Sequence, residues 1–311
     1  MIAGTMALRD ILALVEGELA AVEVLLEEQH CSGLPPHDDV LHRFRERGEG
    51  RLRPALLLLG CGLTGYHGDR ATPLAVAVEL LHTFTRLHDG ILAEVPRRAD
   101  LTVLVGDFFQ VKWVSIALSQ EDVRIPRLLQ DVTLRILEGL LLDRVRCGDP
   151  DVSEADHLEI VRRRTAGLFS ACLRIGAILG QVGEKRENAL ASYGLNVGMC
   201  LQVVDDILDF TARGASSLGD GRITLPAVYL MRHAGARGIE AVSTILQDRG
   251  FDHVSREEIV SLVREHGALD QATAAAERYA ESARQDLGTF AWSSYREALE
   301  SLPQAILSHH H

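Results

Sequence analysis

The sequence contains few cysteines, the residues whose disulfide bonds stabilise small secreted proteins. Only five of its 311 residues are cysteine, and no two of them form a Cys-x-x-Cys pair. This scatter argues against a disulfide framework and against a cysteine-ligated metal. It fits a reducing compartment, so we expect a cytoplasmic protein.

Basic charge is also scarce. Lysine and arginine number 32 against 44 aspartate and glutamate, which gives a formal net charge of −12. Because no basic stripe offsets this excess, nucleic acid is excluded as a partner. The N-terminus lacks a charged start before an apolar block, and we expect no apolar run long enough to cross a bilayer. We therefore expect no transmembrane segment.

The period-two pattern of strands is missing, and nearly every long segment has helical period. Several of these segments are apolar almost all round, which is typical of helices at the centre of a bundle. The sequence predicts a single all-α domain over residues 1–308, with residues 309–311 as a tag remnant. We predict helices at about 7–28, 51–64, 72–95, 100–118, 123–147, 153–182, 186–212 and 222–235, with shorter ones after 240. Ser153 and Asp156 are expected to cap one of them.

An acidic cluster lies near the end of one predicted helix. Asp205, Asp206 and Asp209 fall within five residues, among apolar neighbours. On a helix, Asp205 and Asp209 lie about 40° apart around the axis and about 6 Å apart along it. Gln202 lies on the same side. A divalent cation that holds a phosphate would neutralise such a cluster, whereas a solvated acidic helix end is the alternative.

Further motifs precede and follow this cluster in a fixed order. They are Arg51-Leu52-Arg53-Pro54, Glu79-Leu80-Leu81-His82-Thr83, Leu87-His88-Asp89-Gly90, Arg97-Arg98, Gly106-Asp107-Phe108-Phe109, Arg164-Thr165-Ala166-Gly167-Leu168-Phe169 and Gly221-Arg222-Ile223-Thr224-Leu225-Pro226. Their order and spacing resemble those of the trans-isoprenyl diphosphate synthases, or polyprenyl synthetases. The resemblance runs from about residue 48 to about residue 230.

The resemblance implies an isoprenoid-synthase-type helical bundle around a central cavity, in which two Asp-rich motifs on facing helices hold Mg²⁺. The metal binds the diphosphate of an allylic primer and helps it leave, and isopentenyl diphosphate attacks the resulting cation. Prenyl diphosphates are the expected ligands. A dimer is the expected assembly, either of identical chains or with an intact synthase.

The resemblance also assigns roles to individual residues. The implied metal ligands are Asp89, Asp205 and Asp209, and the implied catalytic residues are Asp89, Asp205, Asp206, Arg164 and Gln202. The implied substrate-binding residues are Arg53, His82, Arg97, Arg98, Thr165, Arg222 and Phe84. An aromatic residue at the position of Phe84 acts in the family as a floor that limits product length.

The first Asp-rich motif departs from the family pattern. Asp-Asp-x-x-Asp is replaced by Asp89-Gly90-Ile91-Leu92-Ala93, so only the first carboxylate is kept. Glu94 is about 140° further round the helix from Asp89, so it cannot simply substitute. Arg86, three residues before Asp89, either pairs with Asp89 or extends outward.

The diphosphate-binding segments depart as well. Gly50 replaces a family lysine, Glu49 adds a negative charge beside it, and Arg164 replaces the lysine of a Lys-Thr pair. The loops after Arg98 and after Asp209 are shorter than in the family, which predicts poorer exclusion of water.

These departures leave three hypotheses. The chain is a catalytically impaired or silent prenyl-diphosphate-binding subunit, or it is an active short-chain prenyltransferase that condenses isopentenyl diphosphate with an allylic diphosphate. A third hypothesis is another reaction on a prenyl diphosphate that uses the second motif alone.

Overall fold

The computed structural model describes residues 6–30, 51–93 and 99–308, and side chains within these ranges except at 91–100. Every regular element in these ranges is helical, which confirms the all-α prediction. The helices are α1 Leu8–Ala13, α2 Glu16–His30, α3 Leu52–Thr64, α4 Ala71–Ala93, α5 Ala99–Leu118, α6 Arg124–Arg146, α7 Glu154–Val161, α8 Gly167–Leu179, α9 Glu184–Thr211, α10 Ser216–Gly219, α11 Leu225–His233, α12 Ala236–Asp248, α13 Arg256–Glu265, α14 Ala268–Asp286 and α15 Ser294–Ser308.

Three predicted helices differ from those observed. The first is split, because Leu14 and Val15 separate α1 from α2. The helix predicted over 153–182 contains a π-helical turn at Arg162–Ala166 between α7 and α8. α14 spans 19 residues, so the prediction of only shorter helices after 240 is wrong. The predicted cap of α7 is confirmed, because Ser153 and Asp156 form a capping box.

The centre of the bundle is built from α8 and α9. Almost every residue of α8 is buried, as its all-round apolar sequence predicted. α9 packs along α8 on one side and along α14 on another, and α3 covers α8. The core therefore lies around two helices that follow directly on the π turn.

Glycines let these central helices approach closely. A Cβ atom at Gly198 of α9 would lie 2.6 Å from the Cα of Ala166 in the π turn, and one at Gly194 would lie 2.5 Å from the carbonyl oxygen of Phe169. On the other side of the turn, a Cβ atom at Gly139 of α6 would lie 2.8 Å from the Cβ of Arg163. The π turn is therefore held between α6 and α9 by contacts that no larger side chain permits.

Within the part of the chain that the structure describes, one helix qualifies by length and composition as a membrane span. Leu101–Leu118 of α5 has a mean hydropathy of 1.5. This corrects the expectation that no apolar run is long enough. A single such helix is weak evidence, because helices of helical bundles satisfy the same criteria. The segment also includes Asp107 and Lys112, and it packs along α4.

We predict that Gly198→Val lowers the free energy of unfolding by about 2–3 kcal/mol, because the new side chain would overlap the backbone of the π turn. Chemical denaturation followed by circular dichroism measures the change. Gly17→Ala is the matched control, since nothing lies within 4 Å of a Cβ there; it should leave the chain as stable or stabilise it by about 0.5–1 kcal/mol. Equal stability of the two variants would contradict the packing argument.

Candidate functional site

Arg164 of the π turn joins two helices through their carboxylates. Its Nη2 donates to Oδ2 of Asp89 on α4 at 2.8 Å, and its Nη1 donates to Oδ2 of Asp143 on α6. A π turn widens the helix locally, and such turns are frequent at functional sites. The structure thus brings Arg164 and Asp89 together, as expected for two residues of one site.

Asp143 was not identified from the sequence. It follows Gly139 by four residues, so both lie on one face of α6. The only sequence signal was therefore its position one helical turn after a glycine that allows close packing. This signal can be interpreted only when the neighbouring helix is known.

Arg86 takes neither of the two predicted orientations. The partner of Asp89 is Arg164. Arg86 is half-buried, and its positive charge acts on two neighbours. It opposes the rise that burial causes in the pKa of Glu79, and it adds to the fall in the pKa of His82. It therefore acts on groups of α4 that lie one and two turns before Arg86 itself.

The second Asp-rich motif divides into one accessible and two buried carboxylates. The Asp205 side chain is 39% exposed and lies 3.4 Å from Nη1 of Arg213. Asp206 and Asp209 are each 3% exposed. Of the three, Asp205 is the carboxylate that an incoming cation would meet first.

Asp206 belongs to a hydrogen-bonded chain that links three elements. The Thr165 hydroxyl donates to Oε1 of Gln202 at 2.9 Å, and Nε2 of Gln202 donates to Oδ1 of Asp206 at 3.1 Å. Oδ2 of Asp206 lies 2.7 Å from Nε2 of His157 and accepts from the Leu225 amide. The π turn, α7 and the start of α11 are thereby tied to the motif.

His157 is a site residue that sequence analysis missed. Burial lowers the pKa of His157, but the Asp206 carboxylate, Asp143 and a backbone hydrogen bond to Ile223 together hold the pKa above its usual value. The imidazole thus gives the buried Asp206 carboxylate a hydrogen-bonding partner within the protein.

Asp209 is engaged by the loop that follows α9. Its Oδ1 accepts from the Ser216 hydroxyl at 2.6 Å, and both carboxylate oxygens lie 3.2 Å from the Ser217 amide. These contacts use only part of the acceptor capacity of the carboxylate, so they are compatible with the predicted role of Asp209 as a metal ligand. The same loop contains Arg222, whose amide donates to the Ser217 carbonyl at 2.8 Å.

A second group of predicted residues lies deeper in the bundle. Arg53 of α3 and Glu79 of α4 are both nearly buried, with Nη1 and Oε1 3.9 Å apart. The Arg53 guanidinium also lies 5.4 Å from the centre of the Phe169 ring. Within the described residues, Oε1 of Glu79 and Nε2 of His82 are buried without a hydrogen-bond partner. Arg53 and His82 are thus brought together, as predicted.

Burial changes what these side chains offer a ligand. It raises the pKa of Glu79 to about 7, although Arg53 and Arg86 act against it. Burial and the same two arginines hold the pKa of His82 well below its usual value. His82 is therefore neutral at pH 7 and offers a hydrogen bond, while Arg53 supplies the positive charge.

Phe84 is buried and lies one turn from His88, with ring centres 4.5 Å apart. His88 is a hydrogen-bonded helix residue, because its Nδ1 lies 3.0 Å from the Phe84 carbonyl oxygen. Arg97, Arg98, Glu94, Glu49 and Gly50 lie outside the described residues.

The donor set fits a cation that shares its ligands with a substrate. No three His, Cys, Asp or Glu side chains among the described residues are grouped to hold a metal alone. Mg²⁺ is usually bound by one or two carboxylates, with water and substrate phosphates completing its shell. Asp89 and Asp205 are the partly exposed carboxylates that suit this arrangement.

We predict that Glu79 makes stability fall as the pH rises from 4.5 to about 7. Between these values the folded chain keeps a proton on Glu79 that the unfolded chain releases. The stabilisation is therefore complete below 4.5, the pKa of Glu79 in the unfolded chain. It is lost as the pH rises through about 7, the pKa of Glu79 in the folded chain. Relative to Glu79→Gln, the free energy of unfolding of the unmodified chain should fall by on the order of 3 kcal/mol across this window.

Denaturant unfolding at both ends of the window tests this prediction. Glu257→Gln, at an exposed position on α13, controls for the loss of a carboxylate. A stability difference between the unmodified chain and Glu79→Gln that does not change with pH would contradict it.

Comparison with known proteins agrees with the motifs. Residues 37–263 match the polyprenyl synthetase family. The octaprenyl diphosphate synthase of Haemophilus influenzae is 27% identical, over 96% of this chain and 95% of its own length. The geranylgeranyl diphosphate synthase of Methanosarcina mazei is 32% identical, over 78% of this chain and 80% of its own.

A solved structure is similar over almost the whole fold. The polyprenyl synthase of Caulobacter crescentus, complexed with calcium and isoprenyl diphosphate, superposes with a TM-score of 0.90. It is 28% identical and the match covers 98% of this chain and 99% of that one. With the ordered motifs and the family match over most of its length, the chain belongs to the polyprenyl synthetase family.

Proposed function

We propose that this chain binds a prenyl diphosphate between α4 and α9 and that its own prenyl-transfer activity is strongly impaired. The observation that carries the proposal is the state of the first motif. Asp89 is the single carboxylate kept from Asp-Asp-x-x-Asp, and Arg164 already occupies it. In this proposal the chain acts as a subunit beside an intact synthase.

The physical argument concerns the leaving diphosphate. Magnesium, when bound, supplies positive charge that stabilises the diphosphate as it leaves. Here α4 offers that metal one carboxylate, because Gly90 and Ala93 have no ligand oxygen. On α9, Asp205 is the accessible ligand, whereas Asp209 is buried and already accepts hydrogen bonds from Ser216 and Ser217.

Binding of the diphosphate is less affected than transfer. Arg53 and Arg164 supply positive charge, and Thr165 and His82 supply hydrogen bonds. Arg97, Arg98 and Arg222 complete the proposed substrate-binding set. Guanidinium groups bind phosphate oxygens in a bidentate manner, so affinity for a diphosphate survives the loss of the lysine at position 50.

The alternative is an active short-chain prenyltransferase. Relatives that align over nearly the whole chain are named as prenyl diphosphate synthases, which favours activity. The buried Phe84 ring, one turn before His88, would then limit the product to a short chain.

We predict that the purified chain, supplied with Mg²⁺, isopentenyl diphosphate and geranyl diphosphate, transfers prenyl groups more than about 100-fold slower than the H. influenzae relative. Gly90→Asp combined with Ala93→Asp should raise the rate, because it restores the Asp-Asp-x-x-Asp spacing. Adding Asp205→Ala should abolish this gain, whereas Asp270→Ala, at an exposed position on α14, should not. Extraction and sizing of labelled product measures each rate.

Turnover of the unmodified chain at the rate of the relative would reject the impaired-subunit proposal in favour of the active short-chain synthase. The length of any product tests the role of Phe84. Recovery of intact geranyl diphosphate also excludes hydrolysis or cyclisation.

An exposed apolar surface on α5 and α6 supports the proposed dimer. Large apolar side chains are exposed at Leu104, Val111, Leu118, Leu134, Leu141 and Val145. Within each helix these positions recur at spacings of seven and four residues, and exposed apolar surface that is contiguous marks interaction sites on proteins. A second helical bundle would cover these side chains and with them the apolar face of α5.

We predict that Leu141→Glu combined with Val145→Glu dissociates the dimer, because two buried charges would oppose association. Light scattering coupled to size exclusion measures the mass. Val24→Glu, at an equally exposed apolar position on α2, is the control and should leave the mass unchanged. A dimer that survives the double substitution would place the interface elsewhere.

A further inference from the structure

The ion-paired triad of Asp89, Arg164 and Asp143 carries more negative than positive charge. One guanidinium is shared between two carboxylates, so the triad has a formal charge of −1. All three side chains are at least partly exposed, at 35% for Asp89, 22% for Arg164 and 20% for Asp143. When a phosphate group approaches Arg164, the positive charge of the guanidinium is therefore already more than compensated by two carboxylates.

The two terminal nitrogens of Arg164 are both in use. Nη2 donates to Asp89 and Nη1 donates to Asp143. A guanidinium has five N–H donors, so some of them remain for a diphosphate. The two carboxylates nevertheless take part of these donors and of the positive charge, so a diphosphate competes with them for the guanidinium and binds it more weakly.

The fold holds Asp143 in this position. A Cβ atom at Gly139 would lie 2.9 Å from the Cγ of Arg164 and 3.1 Å from its amide nitrogen, so α6 approaches the π turn as closely as a glycine allows. Asp143 is one turn further along the same face of α6. Its contact with Arg164 follows from backbone packing and does not depend on a flexible surface segment.

We propose that Asp143 competes with a diphosphate for Arg164 and so weakens diphosphate binding. The proposal rests on the proposed function, since it requires that Arg164 face the diphosphate. Asp143 acts through Arg164 and has no direct contact with the ligand. Its removal is therefore expected to improve binding.

The opposite effect is expected if Asp143 is a metal ligand that compensates for the carboxylates missing from α4. Its removal would then weaken binding in the presence of Mg²⁺ and change little without it. The sign of the change in affinity separates the two roles.

Isothermal titration of the full chain with inorganic pyrophosphate and with geranyl diphosphate, each with and without Mg²⁺, tests the proposal. Asp143→Asn should tighten binding of both by about fivefold, the range of a partly buried ion pair. Asp143→Glu, which keeps the charge, should bind as the unmodified chain does. Asp270→Asn removes a charge at an exposed position on α14 and should have no effect.

The same substitution made in an Arg164→Gln variant separates competition for Arg164 from a general structural effect of changing Asp143. In Arg164→Gln, the further change Asp143→Asn should give no gain beyond about twofold, because the donor for which Asp143 competes is absent. A full gain in this background would overturn the proposal. Thermal unfolding of each variant checks that the fold is kept.

The outcomes distinguish this inference from the proposed function. If the unmodified chain binds geranyl diphosphate and Asp143→Asn binds it equally or more weakly, the inference fails and the proposed function stands. If only Asp143→Asn binds, the inference stands and the native chain is not a prenyl-diphosphate-binding subunit. If neither binds, both fail.

Discussion

The close contact between the π turn and α9 is the constraint on which the site depends. Gly198 allows the backbone at Ala166 to lie against α9, and this places Thr165 within hydrogen-bonding distance of Gln202. From Gln202 the chain of contacts continues to Asp206, and the preceding residue of the turn, Arg164, reaches α4 and α6. A small change in helix separation would therefore disturb both Asp-rich segments together.

Partners for buried carboxylates are the second theme of the site. Oδ2 of Asp206 lies 2.7 Å from Nε2 of His157, and Asp209 accepts hydrogen bonds from Ser216 and Ser217. Buried carboxylates are costly without such partners. These contacts supply part of what each buried carboxylate needs and hold both side chains in fixed positions on α9.

The sequence was sufficient for the helices and for the order of the motifs, because helical period and residue spacing are local properties. It could not reveal the π turn, since the turn results from packing between α6 and α9 and has no pattern of its own. Asp143 and His157 were missed for a related reason. Each is recognised only through a partner far along the chain, Arg164 in one case and Asp206 in the other. The burial of Glu79, which raises its pKa, is likewise recognised only in the packed structure.

Two departures from the family pattern are physically connected. A lysine at position 164 would present a compact ammonium on a flexible stem, whereas the planar guanidinium of Arg164 directs its nitrogens toward two separate acceptors. Only the latter can hold a carboxylate of α4 and one of α6 at once in fixed geometry. In the proposed function, Gly90 and Ala93 stand where the family pattern has carboxylates, and Asp89 is the acidic group left in this segment of α4. The two departures then have the same result, because Asp89 is paired with Arg164 within the protein.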